Sequence, residues 1–350
     1  MLDISTIDMY NSVMEQIDSV HLEITSRCNA KCPMCSRTNN PIILNNQSEI
    51  TYKQFVKFFP PHFIAQLKKF KFCGNYGDPA IAHDLILIHE YIFEHNPSIQ
   101  VTLSTNGGVR HTDFWHRLGE IYNASQQSFV EWHIDGLAET NHLYRVGVIW
   151  KKLMANAGAF IATGANAKWF YIPFFHNEHQ VEEAEALAKE MGFRDFVLKI
   201  SARFRDFKKG HTYRDAQGTV KKIYPPTADR FNIEHMQHQG ELICLHKQRK
   251  EIYVDSWGRL FPCCWTASSF NKQNNWLISH NKYAISLHQR DIFEILNDPV
   301  FQEWLETMYK NDKSICHQRC TGSQVHVIEA NGVKIPQKTL WHHREEIDNG

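Results

Sequence analysis

From about residue 19 to residue 200 the chain alternates two hydrophobic rhythms. Short β-rich runs fall at 19–24, 70–73, 100–104, 129–134, 168–172 and 196–200. Between them, apolar residues recur at helical spacing over 52–59, 84–94, 113–122, 150–162 and 179–191. Asn177 stands where a cap for the last of these helices belongs, and Gly192 follows Met191 as a stop. Six strands alternating with helices predict an α/β fold with a parallel sheet, either doubly wound or a barrel. No internal repeat and no low-complexity tract interrupts the pattern.

The alternation stops after Ile200. Residues 202–226 are polar and basic, with Arg203, Arg205, Lys208, Lys209, Arg214, Lys221 and Lys222 against Asp206 and Asp215. Such a run reads as a solvated linker or as a basic wall for an anionic substrate group. A loop-rich, cysteine-rich segment follows. The expected division is an N-terminal extension over 1–18, a first domain over 19–215, a smaller second domain over 216–335 and a polar tail over 336–350.

Composition narrows the function. Hydrophobic residues are 43% and charged residues 22%, as in ordinary globular chains. Thirty-eight basic residues balance thirty-eight acidic ones, which gives no support for binding a nucleic-acid polymer. The first eighteen residues carry Asp3, Asp8, Glu15 and Asp18 and lack the apolar centre of an export signal, and no apolar run is long enough to span a bilayer. The chain is therefore expected in the cytoplasm, away from membranes. In that compartment clustered cysteines suit metal or redox chemistry better than disulfides.

Eight of the nine cysteines fall in two groups, with Cys73 apart and expected to act as a buried small hydrophobe. Cys28, Cys32 and Cys35, spaced C-x3-C-x2-C, follow the first predicted strand, at the end where α/β proteins keep their chemistry. Three thiolates from one loop can hold three irons of a [4Fe–4S] cube and leave the fourth open to a small molecule. A zinc site is the rival, and it would ordinarily need a fourth ligand.

The run Glu23-Ile-Thr-Ser-Arg-Cys28-Asn-Ala-Lys-Cys32-Pro-Met-Cys35 resembles the cluster motif of the radical SAM superfamily. The resemblance implies a partial (β/α)6 barrel of the TIM type and a [4Fe–4S] cluster whose open iron binds S-adenosylmethionine. It also implies radical hydrogen abstraction, with electrons from a flavodoxin- or ferredoxin-type donor. Phe72-Cys73-Gly74-Asn75-Tyr76-Gly77-Asp78-Pro79 resembles the family's Gly-Gly-Glu-Pro element, with Asp78 in place of Glu, so Gly77 and Asp78 carry over as cofactor contacts. Ser104-Thr105-Asn106-Gly107 is similar to the Thr-Asn-Gly of many relatives and adds Thr105 and Asn106. His133-Ile134-Asp135-Gly136, followed by Arg145, resembles a Ser-x-Asp-Gly…Arg pattern. His133 stands in the place of the serine, and Arg145 fits either the cofactor carboxylate or a structural ion pair.

The second group is Cys244, Cys263, Cys264, Cys316 and Cys320. Residues 255–258 predict a hairpin turn between strands at 252–254 and 259–261. The spacing C-x13-G-x4-C followed by C-x3-C resembles the SPASM and twitch auxiliary-cluster domains. That resemblance implies one auxiliary [4Fe–4S] cluster on Cys244, Cys263, Cys316 and Cys320, with Cys264 spare. Zinc remains open there. The substrate expected is a small molecule that is oxidised or rearranged. Side-chain modification of a peptide, nucleotide modification and a non-enzymatic electron-transfer role stand as alternatives.

Overall fold

The computed structural model describes residues 17–350 except 39, 202, 205–208, 216, 232–243, 271–284, 302, 304–314, 321–325, 331–332 and 338–350. The N-terminal extension, apart from residues 17 and 18, and the polar tail, apart from 336 and 337, lie outside the described residues. So do Arg205, Asp206 and Lys208 of the basic run.

All six expected strands form: β1 (Ser19–Leu22), β2 (Lys69–Phe72), β3 (Gln100–Thr105), β4 (Phe129–His133), β5 (Asn166–Tyr171) and β6 (Asp195–Leu198). They pair in parallel in the order of the sequence. A doubly wound sheet reverses direction at a switch point, and this one does not. The fold is the partial-barrel form of α/β, as the motif resemblance implied. Helices Leu85–His95, Thr112–Asn123, Trp150–Ile161 and Val181–Met191 form the crossovers.

Side-chain alternation decides what the two faces do. Val20, Leu22, Phe70, Phe72, Val101, Leu103, Val130, Trp132, Trp169 and Tyr171 are fully buried. They face the helices; Trp132, for example, meets Trp115 of the helix Thr112–Asn123 with ring centres 4.6 Å apart. The opposite face is polar. Read across the register it carries His21 beside Lys71 beside Thr102, then Ser104 beside Glu131 beside Lys168, then His133 beside Phe170. The charge of Lys71 on β2 acts on Lys199, just past β6, although three strands separate them in the sheet. Only a sheet curled around its polar face brings those two together.

The cysteine-rich segment does not stand clear of this sheet. The hairpin of β7 (His211–Arg214) and β8 (Val220–Ile223) is antiparallel. His211 Nε2 lies 3.2 Å from the carbonyl of Pro33, and Arg203 Nη1 donates to the carbonyl of Met34 at 3.2 Å. The described part of the basic run thus reaches the first cysteine loop. Next, β9 (Glu251–Val254) pairs in parallel with β1, and β10 (Leu260–Phe261) pairs antiparallel with β9. The sheet has eight strands, ordered β10-β9-β1-β2-β3-β4-β5-β6. The hairpin expected at 255–258 is present. Gly258 takes φ +69, and Asp255 Oδ1 accepts from the backbone amides of Trp257 and Arg259 at 3.1 and 3.0 Å. A last hairpin joins β11 (His326–Ala330) to β12 (Val333–Gln337).

Local caps agree in part with expectation. Gly192 ends its helix at φ +89. Asn177 makes no cap with its side chain, and the helix starts at Val181 rather than 179. The Asn177 side chain instead donates to the carbonyls of Asp135 and Ile172 at 2.9 and 3.0 Å and accepts from Phe174 N at 2.6 Å. It fastens the segment after β5 to the one after β4. Among the described residues, no helix is long and apolar enough to cross a membrane.

Candidate active site

The loops after β1, β2, β3 and β4 converge at the carboxyl end of the sheet. Each cysteine of the first group lies on the β1 loop, and none forms a disulfide. That loop is braced on both sides. Ile50 N donates to Ile24 O at 2.9 Å, Arg27 pairs with Glu49, and Lys31 N donates to Val146 O at 2.8 Å. Inside the loop, the buried Arg37 donates to the carbonyl of Ala30 at 2.6 Å.

Glu23 anchors the base of the loop. It is fully buried and accepts from Tyr76 N at 2.6 Å, Gly77 N at 3.2 Å and Tyr253 Oη at 2.9 Å. One carboxyl thus joins β1, the turn after β2 and β9. Burial pushes its acid up to about 7. The turn itself presses on the cysteine loop. A Cβ on Gly77 would lie 1.6 Å from the carbonyl oxygen of Thr25, so only glycine fits.

Asp78 joins the second and third motifs. Its carboxylate accepts from Thr105 Oγ1 at 2.9 Å, Asn106 N at 2.8 Å, Asn106 Nδ2 at 2.6 Å and Ala80 N at 3.1 Å. Burial pushes its acid upward, and these donors oppose the shift. Asn106 continues the chain toward the thiols: Asn29 Nδ2 donates to Asn106 Oδ1 at 3.2 Å, and Asn106 Nδ2 lies 3.7 Å from Cys28 Sγ. Gly77, Asp78, Thr105 and Asn106 therefore all meet the cysteine loop, directly or through one residue.

Arg145 reaches the site from the segment after β4. Its Nε donates to Asp135 Oδ2 at 2.6 Å, and Nη1 lies 3.8 Å from Cys32 Sγ. The structural ion pair weighed from the sequence is present, and the same guanidinium faces a thiol. His133 lies on the inner face with Nε2 3.6 Å from Glu131 Oε2, its ring 5.4 Å from that of Phe170. Burial pulls its pKa down to about 3, so it is neutral.

The thiols suit a cluster by their chemistry. Burial pushes Cys28 up to about 12, and Cys32 also upward. Thiolates there need a cation, and an iron–sulfur cube supplies one. Ala30 N at 3.4 Å, Asn106 Nδ2 and Arg145 Nη1 point N–H groups at the sulfurs, as cluster sites do. Among the described residues no three His, Cys, Asp or Glu side chains close on a single ion. A cube binds each thiolate through a different iron, at wider separations than the ligands of one ion.

The second group also gathers. Cys316 and Cys320 share one face of the helix Ile315–Cys320, which packs against the helix Cys264–Phe270. Burial pushes Cys320 up to about 12, and the thiols of Cys263 and Cys244 add to the shift. Cys263, raised to about 11 by burial, also feels Cys244. Cys264 differs from its neighbour. Besides Cys263 it faces Glu251, Lys71 and Cys73, and its carbonyl accepts from Asn75 Nδ2 at 2.9 Å. Cys73 is half-buried beside these polar groups rather than enclosed among apolar ones as expected; its carbonyl lies 2.6 Å from His21 Nε2.

Sequence reasoning missed Glu23 as a tie, Asn29, and the polar inner face. The last had a signal, the strict alternation in Val20-His21-Leu22-Glu23 and Val130-Glu131-Trp132-His133.

No protein-family profile matches the chain. A GTP 3′,8-cyclase of Aliarcobacter butzleri (strain RM4018) is 25% identical over 92 residues, 26% of this chain and 28% of the cyclase. The chain thus aligns with under a third of that relative's length. Streptococcus suis SuiB, solved with S-adenosylmethionine bound, superposes with TM-score 0.58 at 11% identity, covering 87% of this chain and 72% of SuiB. Native anSMEcpe, solved with AdoMet and the Cp18Cys peptide, gives TM-score 0.51 at 14% identity, covering 84% of each chain. The shared barrel and the sequence match to the cyclase together support the radical SAM superfamily as the one this chain resembles.

Proposed function

We propose that the chain is a radical enzyme acting on S-adenosylmethionine. The observation that carries this reading is the clasp between the three-thiol loop and the Gly77-Asp78 turn, closed through Thr105, Asn106 and Asn29. Cys28, Cys32 and Cys35 would hold a [4Fe–4S] cluster, which supplies one-electron reductive cleavage of the sulfonium and so a radical that takes hydrogen from substrate. The protein's own part is placement. Asp78 locks the turn whose backbone lies against the cysteine loop. Asn106 and Arg145 direct N–H groups at Cys28 and Cys32, which stabilises negative charge on sulfur. Gly77, Asp78, Thr105, Asn106, His133 and Arg145 are assigned to the cofactor, a choice supported for all but His133 by their ties to the cysteine loop.

Cys244, Cys263, Cys316 and Cys320 are assigned to one auxiliary [4Fe–4S] cluster. The grouping of Cys263, rather than Cys264, with Cys244 and Cys320 supports that choice. Such a cluster would take the second electron from a substrate radical, which suits oxidation of a small molecule. SuiB has also been solved bound to its precursor peptide SuiA, which makes a peptide side chain the second substrate class to test. A flavodoxin- or ferredoxin-type protein would deliver the first electron.

The test separates the two cysteine groups. Cys28→Ala is expected to abolish 5′-deoxyadenosine formation by the anaerobically reconstituted, reduced protein. Cys316→Ala is expected to retain cleavage and lose substrate turnover, read as transfer of deuterium from a labelled candidate into 5′-deoxyadenosine. Cleavage that survives Cys28→Ala would refute the assignment of the first group.

A further inference from the structure

Asp135, two residues past β4, is fully buried and has as yet no part in the chemistry. Its carboxylate is held from two sides. Oδ1 accepts from Ile172 N at 2.7 Å, and Oδ2 accepts from Arg145 Nε at 2.6 Å. Its backbone is pinned as well: the amide donates to Asn141 Oδ1 and the carbonyl accepts from Asn177 Nδ2, both at 2.9 Å. A carboxylate fixed at this many points does not follow the arginine. The arginine comes to it.

Arg145 is placed from its other end too. Its backbone amide donates to Asn141 O at 2.8 Å. Its Cζ lies 5.5 Å from the centre of the Tyr144 ring, which packs 4.4 Å from that of Phe174. A guanidinium is a rigid planar fork, so fixing Nε on a carboxylate fixes where Nη1 points. Here Nη1 points at Cys32 Sγ, 3.8 Å away. The two charges act on that sulfur with opposite sign. Arg145 favours the thiolate and Asp135 disfavours it, and the effect of Arg145 is the larger.

We propose that Asp135 is a positioning residue that sets the reduction potential of the cluster on Cys28, Cys32 and Cys35, by holding the Arg145 guanidinium against Cys32. This rests on the assignment of that cluster to the first thiol group. The couple concerned is its one-electron reduction by the external donor. The added electron makes the sulfurs more negative, and an N–H aimed at one of them stabilises the reduced form and raises the potential. Asp135 therefore has two effects of opposite sign. As a bare negative charge it lowers the potential; as the holder of Arg145 it raises it. The second effect is the larger, because Arg145 touches the sulfur and Asp135 reaches it only across the guanidinium.

The opposed signs make the test. The reconstituted full chain is titrated anaerobically without S-adenosylmethionine, following the electron paramagnetic resonance signal that Cys28→Ala removes. Asp135→Asn keeps an oxygen for the Ile172 amide but sets an N–H against the Nε–H of Arg145, so the guanidinium is released. The potential is expected to fall by about 59 mV or more, a tenfold drop in the ratio of reduced to oxidised cluster at a fixed poise. Arg145→Gln is expected to lower it as well. Asp135→Asn made in the Arg145→Gln protein is expected to lower it no further, since only a negative charge is then removed. A rise or no change from Asp135→Asn alone, as a bare charge or a purely structural residue would give, would overturn the proposal. So would an equal fall in the two backgrounds. Breaking a buried ion pair can disturb folding, so a second measurement uses the unsubstituted protein. With arginine labelled by nitrogen-15, the reduced first cluster is expected to show hyperfine coupling to a guanidinium nitrogen, and its absence would also overturn the proposal. A three-thiol loop that takes up no cluster would overturn this proposal and the cluster assignment together. A cluster whose potential responds as stated, in a protein that never forms 5′-deoxyadenosine, would overturn the radical reading alone.

Discussion

Single residues hold the cysteine loop in place, and two of them make sharp predictions. Gly77→Ala sets a methyl group into the carbonyl of Thr25, so the turn and the loop must separate. The expected cost is about 3 kcal/mol of stability, with loss of cluster loading by the three-thiol loop. Thermal melting and visible absorbance of the reconstituted protein check both, and a stable, fully loaded variant would remove the clasp from the account. Glu23 predicts a pH dependence. Its folded-state acid is raised to about 7 from 4.5, so the folded chain binds the proton more tightly than the unfolded one. That contribution is fully present below pH 4.5 and is lost as pH rises toward 7, a span worth about 3 kcal/mol. Glu23→Gln should flatten the fall in melting temperature between those pH values; an unchanged slope would contradict the assignment. The cysteine motif was legible because its three thiols fall within eight residues of one loop. Glu23 was not legible as a tie, because its partners Tyr76, Gly77 and Tyr253 come from two distant segments.

At the scale of strands and helices, periodicity located all six barrel strands and the crossover helices to within a few residues. It did not show that β9 joins β1. The local pattern of residues 251–254 marks a strand but names no partner, and the partner lies some 230 positions earlier in the chain. The consequence is testable. A chain ending at residue 215 leaves β1, all of whose residues are buried, as an open edge, and leaves Glu23 without Tyr253. Such a truncation is expected to aggregate or to melt well below the full chain, as judged by size-exclusion chromatography and thermal denaturation. A monomeric truncation with unchanged melting would show that the barrel is complete without β9. The polar inner face was written in the strands themselves. Alternation usually marks an antiparallel sheet with one solvated face. In a parallel sheet with helices outside, the same alternation leaves a polar interior, which a barrel packed with branched aliphatics lacks.

Across the whole molecule, two thiol groups flank one polar interior. The first lies on the β1 loop and is tied to the cofactor motifs through Asp78 and Asn106. The second gathers around the helix that follows β10, and Cys264 there faces Cys73 and Lys71 on the inner face. The interior thus lies beside both thiol groups, the two sites proposed to hold clusters. The tie between the first group and the Gly77-Asp78 turn is what favours the proposed radical chemistry over simple electron transfer, which would need no such clasp. The central claim is that the first site cleaves S-adenosylmethionine. The direct measurement is to reconstitute the protein anaerobically, reduce it in the presence of S-adenosylmethionine and quantify 5′-deoxyadenosine. Product well above the unreduced control is expected; an intact, reducible cluster that yields none would contradict cleavage at this site.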